Sequence, residues 1–204
     1  MRERIILDLC GGSGSWSRPY SAAGYDVRII DPRVLSAGDV RLITRPRLPR
    51  RVHGVLAAPP CDHLSSAGAS QWREKGVSRL LVALGICDAC LRIIWLTQPS
   101  WWALENPVGR LRSYYGDPTL IFDPYHYGDP YRKKTLLWGN FTIPKRNRVE
   151  PLKSPSDSGW RGKDTLDYWL QTQTKEGLIS KQERSQKRSL TPPGFAKAFF
   201  EANP

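Results

Sequence analysis

"RIILDLCGGSGSW" (residues 4–16) is the stretch whose reading decides the fold. Ile5, Ile6, Leu7 and Leu9 make a short apolar run of the kind buried in a parallel sheet. It leads directly into Gly11-Gly12-Ser13-Gly14. A strand ending in glycines lets the backbone approach a ligand closely where the next helix begins. Outward from there, "SRPYSAAGY" (17–25) reads as a short helix and "DVRIIDP" (26–32) as a second strand closed by Asp31-Pro32. "HGVLAAPPC" (53–61), "SWWALENP" (100–107) and "KKTLLWGNF" (133–141) read as further strands, and residues 76–96 carry helical periodicity. "PGFAKAFFEA" (193–202) is a closing helix with proline near its start and apolar residues on one face. Strands alternating with helices predict an α/β domain with a mostly parallel sheet flanked by helices. In such sheets ligands bind beyond the carboxyl ends of the strands. Three polar motifs occupy that edge.

Composition narrows the function. The chain has 204 residues, enough for one domain, with 40% hydrophobic and 25% charged residues. Four cysteines are too few for a disulfide scaffold, so a reducing, cytoplasmic compartment is expected. "MRERIILDLC" lacks the apolar core of a signal peptide. Residues 80–96, the most apolar run, are interrupted by Asp88 and Arg92 and read as a buried helix rather than a membrane span. The balance of 31 basic to 19 acidic residues, +12, points to a polyanion, nucleic acid first. "RPRLPRR" (45–51) and "PKRNRV" (144–149) concentrate that charge in proline-interrupted segments.

Each motif implies a chemistry. In "DLCGGSGSW", Asp8, Leu9, Gly11, Gly12, Ser13, Gly14, Ser15 and Trp16 are expected around a cofactor. A dinucleotide turn would want a third glycine where Ser17 stands, so NAD fits poorly. Asp31 stands where an acid accepts from ribose hydroxyls. Asp39 is either a further cofactor contact or the acceptor of an Asx-turn. In "PPCDHLSSAG", Pro59 and Pro60 stiffen a turn that presents Cys61 at a strand end as a nucleophile. His63 is too close in sequence to face it and is read as a loop residue, while Ser65 belongs to a loop that closes over a ligand. In "LENP", Glu105 is an acid or hydrogen-bond donor, followed by Asn106 and Pro107. In "YGDPYRKKTLLWG", Arg132 and Lys134 alternate and project to one side. Cys87 and Cys90 share a helix face and lack a second pair, so no metal site is expected.

In this order the motifs resemble the cytosine-C5 DNA methyltransferase family. "DLCGGSGSW" is similar to its S-adenosylmethionine turn, with Cys10 in place of an aromatic residue, and "PCDHLSSAG" to its catalytic Pro-Cys loop, with Asp62 for the usual Gln. "ENP" stands for Glu-Asn-Val, and "YGDPYRKKTLLWG" for the basic motif shortened by one residue. "PPGFAKAF" resembles the closing motif, with Arg188-Ser189 for Gly-Asn. The resemblance implies a Rossmann-like S-adenosylmethionine-dependent methyltransferase fold. It also implies methyl transfer to C5 of a flipped cytosine through a Cys61 adduct at C6. Glu105 would bind N3, Arg132 and Lys134 the O2 side or a phosphate, Asp31 the ribose and Asp39 the adenine amine. Pro60 falls on the cofactor side, and Pro59, Ser65, Asn106 and Pro107 on the substrate side.

The resemblance implies three parts: a catalytic core (1–140), a short basic insertion (141–187) where the family carries a target-recognition domain, and a returning C-terminal helix (188–204). So short an insertion leaves little surface for reading base edges. Duplex DNA is the first expected substrate, with a free cytosine nucleotide (dCMP or dCTP) or RNA as alternatives. An inactive DNA-binding module is the alternative of another class, and a thiol-redox protein built on "CDAC" a distant third. A monomer without membrane attachment is expected, in a bacterial host or phage-infected cell.

Overall fold

The computed structural model describes residues 4–151 and 166–204. The apolar runs form β1 (Ile5–Leu9), β2 (Asp26–Ile30), β3 (Gly54–Ala57), β4 (Trp101–Pro107) and β6 (Thr135–Asn140). A three-residue strand, β5 (Leu120–Phe122), escaped the sequence reading because so short a segment shows no period. The order is β2-β1-β3-β4-β6-β5. β2, β1, β3 and β4 are parallel, whereas β6 runs antiparallel to both β4 and β5, so the sheet is mixed. The chain leaves β1 towards β2 on one side and returns to β3 on the other. That reversal falls between β1 and β3, and the carboxyl ends of strands at such a point are the place where α/β sheets bind ligands.

Alternation along the strands feeds two cores. Leu7 and Leu9 of β1, Val55 and Ala57 of β3 and Leu104 of β4 pack against Ala83, Cys87, Cys90 and Ile93 of α2 (Trp72–Thr97). Gly76, non-helical at φ +67°, separates a first turn, Trp72 to Lys75, from the regular helix that follows, whose start the periodicity places at 76. By length and composition, the helical stretch Ser66–Thr97 is apolar enough to cross a membrane. Here one face lies on the sheet, and Val77, Leu81, Val82 and Trp95 remain exposed.

On the other face Ile6, Leu56 and Trp101 meet Trp16, Tyr20 of α1 (Arg18–Ala22), and Phe195 and Phe199 of the C-terminal helix. Phe122 and Phe195 stack at 3.9 Å, and Trp16 meets Phe199 edge-on at 5.5 Å. Each fully buried phenylalanine contributes roughly 2–3 kcal/mol. The last residues are thereby fastened beneath the glycine turn. The remaining helices are α3 (Arg112–Tyr115), α4 (Leu166–Lys175), α5 (Lys181–Ser189) and α6 (Pro193–Ala202). A capping box between Ser180 and Glu183 starts α5. Part of the expected basic insertion lies outside the described residues.

Asp8 points into the second face and has no exposed surface. Ser17 Oγ donates to its Oδ2, while Oδ1 is buried without a partner. Burial raises its pKa to about 7, with Ser17 opposing and Asp31 adding slightly. A carboxyl held above its unfolded value favours the native state while protonated, and that contribution is lost as pH rises through the folded value. Asp8→Asn preserves the acceptor for Ser17 and removes the titration. The stability difference between variant and wild type, measured by urea unfolding, is expected to grow from pH 4 to pH 7 by up to about 4 kcal/mol in favour of Asn. A difference independent of pH would show that Asp8 is charged when folded.

Candidate active site

Cys10 (φ +58°), Gly12 (φ +50°) and Gly14 (φ +66°) bend the chain sharply after β1. Gly11 cannot carry a side chain, since a Cβ there would lie 2.2 Å from the Asp8 carboxyl. Asp31, 2% exposed at the end of β2, accepts from Gly12 N at 3.0 Å and from the backbone N–H and guanidinium of Arg33 at 2.7–3.0 Å. Burial alone would raise its pKa, but these donors together hold it below the usual carboxylate range. Arg33 is mostly exposed, yet its Nη2 would be 2.8 Å from a Cβ at Gly12. Its guanidinium therefore covers both Asp31 and the glycine turn.

Several expected cofactor residues have other work. Leu9 and Trp16 turn their side chains into the two cores. Asp39 takes its Asx role, capping a 3-10 turn by accepting from Arg41 N at 3.0 Å and pairing with the Arg41 guanidinium. Ser15 Oγ accepts from Thr191 N at 3.0 Å, which ties the C-terminal segment to the glycine turn. Ser13 is exposed on the turn.

Beyond β3, Ala58 N donates to Leu9 O at 2.9 Å and prolongs the strand to the proline pair. Pro59 is buried, Pro60 exposed and Cys61 half-buried. Asn106 Nδ2 donates to Pro59 O at 3.0 Å, joining β4 to this turn. The Cys61 carbonyl accepts from Leu64 N and Ser65 N. Ser65 caps the next 3-10 turn and bridges to Gly109, while Ser66 donates twice to Val108 O at 2.8 Å. Gly109 must be glycine here, because a Cβ would approach Leu64 O to 2.0 Å. The segment after the thiol is thus pinned to the one after Pro107. His63 contributes its carbonyl to Arg110 Nε at 3.1 Å, a loop role.

Glu105, half-buried in β4, has its pKa raised by burial and partly restored by Lys133. Lys133 is itself lowered by burial, opposed by Glu105 and Cys61. Burial, then the charges of Glu105 and Asp62, push the Cys61 thiol up to about 11, against Lys133 and Arg188. Cys61, Asp62, Glu105, Lys133 and Arg188 thus act on one another electrostatically.

The basic motif is therefore shifted from its expected register. Arg132 and Lys134 do share a side, but it is the exposed one, and Arg132 lies 5.1 Å from the centroid of the Tyr125 ring. Lys133, which sequence reasoning passed over, turns inward and anchors its Nζ on Leu190 O at 3.0 Å. Arg188, noted in the sequence only as a departure from a motif, also favours the thiolate through its charge. The signal that would have found Lys133 is the start of β6: counting back from Thr135, a buried position, the next inward residue is 133. Among the described residues no group of three or more His, Cys, Asp or Glu is arranged to hold a metal ion.

Cys61 is half-buried, while Cys10, Cys87 and Cys90 are buried. Iodoacetamide is expected to label Cys61 first in the native protein, with a rate rising about tenfold per pH unit between pH 7 and 9. Peptide mapping of the alkylated protein checks both points. A rate flat across that range would mean that the thiol is already ionised.

No family model matches the sequence, and no curated protein matches it. Among solved structures the chain is similar to one from E. coli described as a candidate DNA modification methyltransferase encoded within a prophage. The identity is 17% and the TM-score 0.49, over 82% of this chain. The chain spans about half the length of that structure, covering 54% of it.

Proposed function

We infer that the chain is an S-adenosylmethionine-dependent methyltransferase acting on C5 of cytosine in DNA. The observation that carries this reading is the convergence of Cys61, Glu105 and Lys133 beyond β3 and β4, next to a glycine turn at the sheet's reversal point.

The residues around the turn fit the cofactor. Gly12 carries no side chain and is covered only by the mostly exposed Arg33 guanidinium, Asp31 offers a carboxylate where a ribose diol would lie, and Asp8 keeps one buried oxygen unpartnered. When bound there, S-adenosylmethionine supplies an electrophilic methyl group. The chain's own residues prepare the base. Cys61 Sγ adds to C6, and the C5–C6 electron pair then makes C5 nucleophilic. Glu105, whose pKa burial raises against the charge of Lys133, donates to N3 in its protonated form and so stabilises the adduct. With a methyl group on C5, loss of the C5 proton to water lets the C–H electron pair re-form the C5–C6 double bond and expels the Cys61 thiolate with the C6–S pair.

The electrostatics favour this order. In the free protein, the negative charge of Glu105 opposes ionisation of the thiol. A Glu105 that carries a proton and donates it in a hydrogen bond to N3 no longer bears that charge, and Lys133 and Arg188 then favour the thiolate unopposed by it. Reaching a base at this sheet edge requires it to leave its stack.

Tritiated S-adenosylmethionine incubated with duplex DNA, single-stranded DNA, RNA or dCMP tests the reading. Label is expected in duplex DNA as 5-methylcytosine, absent with Cys61→Ser and reduced about 10²–10⁴-fold with Glu105→Gln. Label in RNA or dCMP alone would replace the substrate and keep the chemistry. No label in any cytosine, with S-adenosylmethionine bound, would leave a binding module.

Arg33 competes for Asp31 in the free protein. Calorimetry is expected to show S-adenosylmethionine binding tightened up to about fivefold by Arg33→Ala, the worth of an exposed pair, and weakened by Asp31→Asn. Weaker binding by Arg33→Ala would make the guanidinium a ligand instead of a cover.

A further inference from the structure

The segment "PKRNRV" (144–149) lies along the 3-10 turn Pro124–Tyr127. Asn147 N donates to His126 O at 3.0 Å and Val149 N to Tyr125 O at 2.9 Å. With 147 and 149 paired, the alternate positions 146 and 148 share a side, and Arg146 and Arg148 are both exposed. The Arg148 guanidinium lies 5.2 Å from the Tyr125 ring centroid, and that of Arg132 lies 5.1 Å from the same ring. Tyr125 is 8% exposed, so it serves as a seat for the two guanidinium groups and offers no open face for a base. After burial itself, Arg146, Arg148 and Arg132 all lower the pKa of the neighbouring His126. Asp123 opposes them, but it is buried and engaged by the backbone N–H of Lys133 at 3.0 Å.

Three positive charges therefore converge on Tyr125 and His126. Among the described residues no carboxylate forms an ion pair with Arg146 or Arg148. Such a cluster repels itself, and a polyanion relieves the repulsion. Its place is also specific. Arg132 is the neighbour of Lys133, so one residue faces the cluster and the next faces Glu105 and Cys61. We propose that Arg146 and Arg148, with Arg132 beside them, grip the sugar–phosphate backbone of DNA next to the base held at Cys61. The proposal rests on the DNA reading above and adds to it the surface that holds the strand.

The test measures binding of a fluorescent duplex DNA to the full chain by anisotropy from 50 to 200 mM salt. It compares wild type with Arg146→Ala/Arg148→Ala. A second pair, Arg50→Ala/Arg51→Ala, removes the same charge from an exposed segment elsewhere. The slope of log affinity against log salt is expected to shrink by about 2 for the first pair and to stay unchanged for the second. Affinity near 100 mM salt is expected to fall at least tenfold for the first pair only. Cys61 alkylation at the wild-type rate in both variants would show an intact fold and site. Equal effects of the two pairs, or none from the first, would overturn the proposal while leaving DNA as the substrate. Absence of salt-dependent DNA binding by the wild type would overturn both.

Discussion

The hydrogen bond from Asn106 Nδ2 to Pro59 O fixes the distance between the thiol-bearing turn and the acid-bearing strand. Asn106 has no exposed surface, so its donor would be costly to bury without that carbonyl. The proline matters as much. Its ring fixes φ and withholds an N–H, leaving the carbonyl at the end of β3 aimed at β4 rather than continuing a ladder. Below this bond the parallel register of Ala57 with Leu104 sets the two strands, and above it the Ser66–Val108 bonds set the two loops. Cys61 and Glu105 are held between fixed points on both sides. This is the kind of rigid placement that covalent addition to a base requires.

Rigidity alone does not make a nucleophile. Burial and two neighbouring acids outweigh Lys133 and Arg188, which is why the thiol lies near 11 instead of below its ordinary value. A permanently ionised thiol here would be open to oxidation and alkylation. Here burial is the main brake on ionisation, and the charge of Glu105 adds to it. Lys133 works against both and is also desolvated: its charge acts through little water, and its Nζ is fixed on Leu190 O.

The strands that carry the site were legible in the sequence because each is an apolar run closed by a turn signal: Gly11 after β1, Asp31-Pro32 after β2, Pro59-Pro60 after β3. Those same closures place Cys61 and Glu105 at one edge, so that pair was legible too. Lys133 was not, because side-chain direction near a strand end depends on register, and a slip of one residue inverts it. Arg132 and Lys134 look like the site pair only if the strand is started one residue out of phase. Asp39 and Trp16 illustrate a different limit. An acid two residues before an arginine, or a tryptophan after a glycine turn, suits either a ligand or a structural partner, and only the fold shows that Arg41 and Phe199 are there. Arg33 was invisible because nothing in a sequence records which way a long side chain leans.

Residues 188–191 join features that the topology would otherwise keep apart. Arg188, ending α5, acts on the thiol; the carbonyl of Leu190 holds Lys133; the N–H of Thr191 is taken by Ser15 in the glycine turn. Pro192 and Pro193 then start α6, whose Phe195 and Phe199 are locked beside Trp16. Because α6 is anchored in the core, this strap cannot drift along the chain. Thr191, held by Ser15, directly follows Leu190, whose carbonyl holds Lys133, so one short hydrogen-bonded path joins the glycine turn to Lys133. The segment between β6 and α6 therefore does more than span a gap: near its end it supplies Arg188, whose charge acts on the Cys61 thiol.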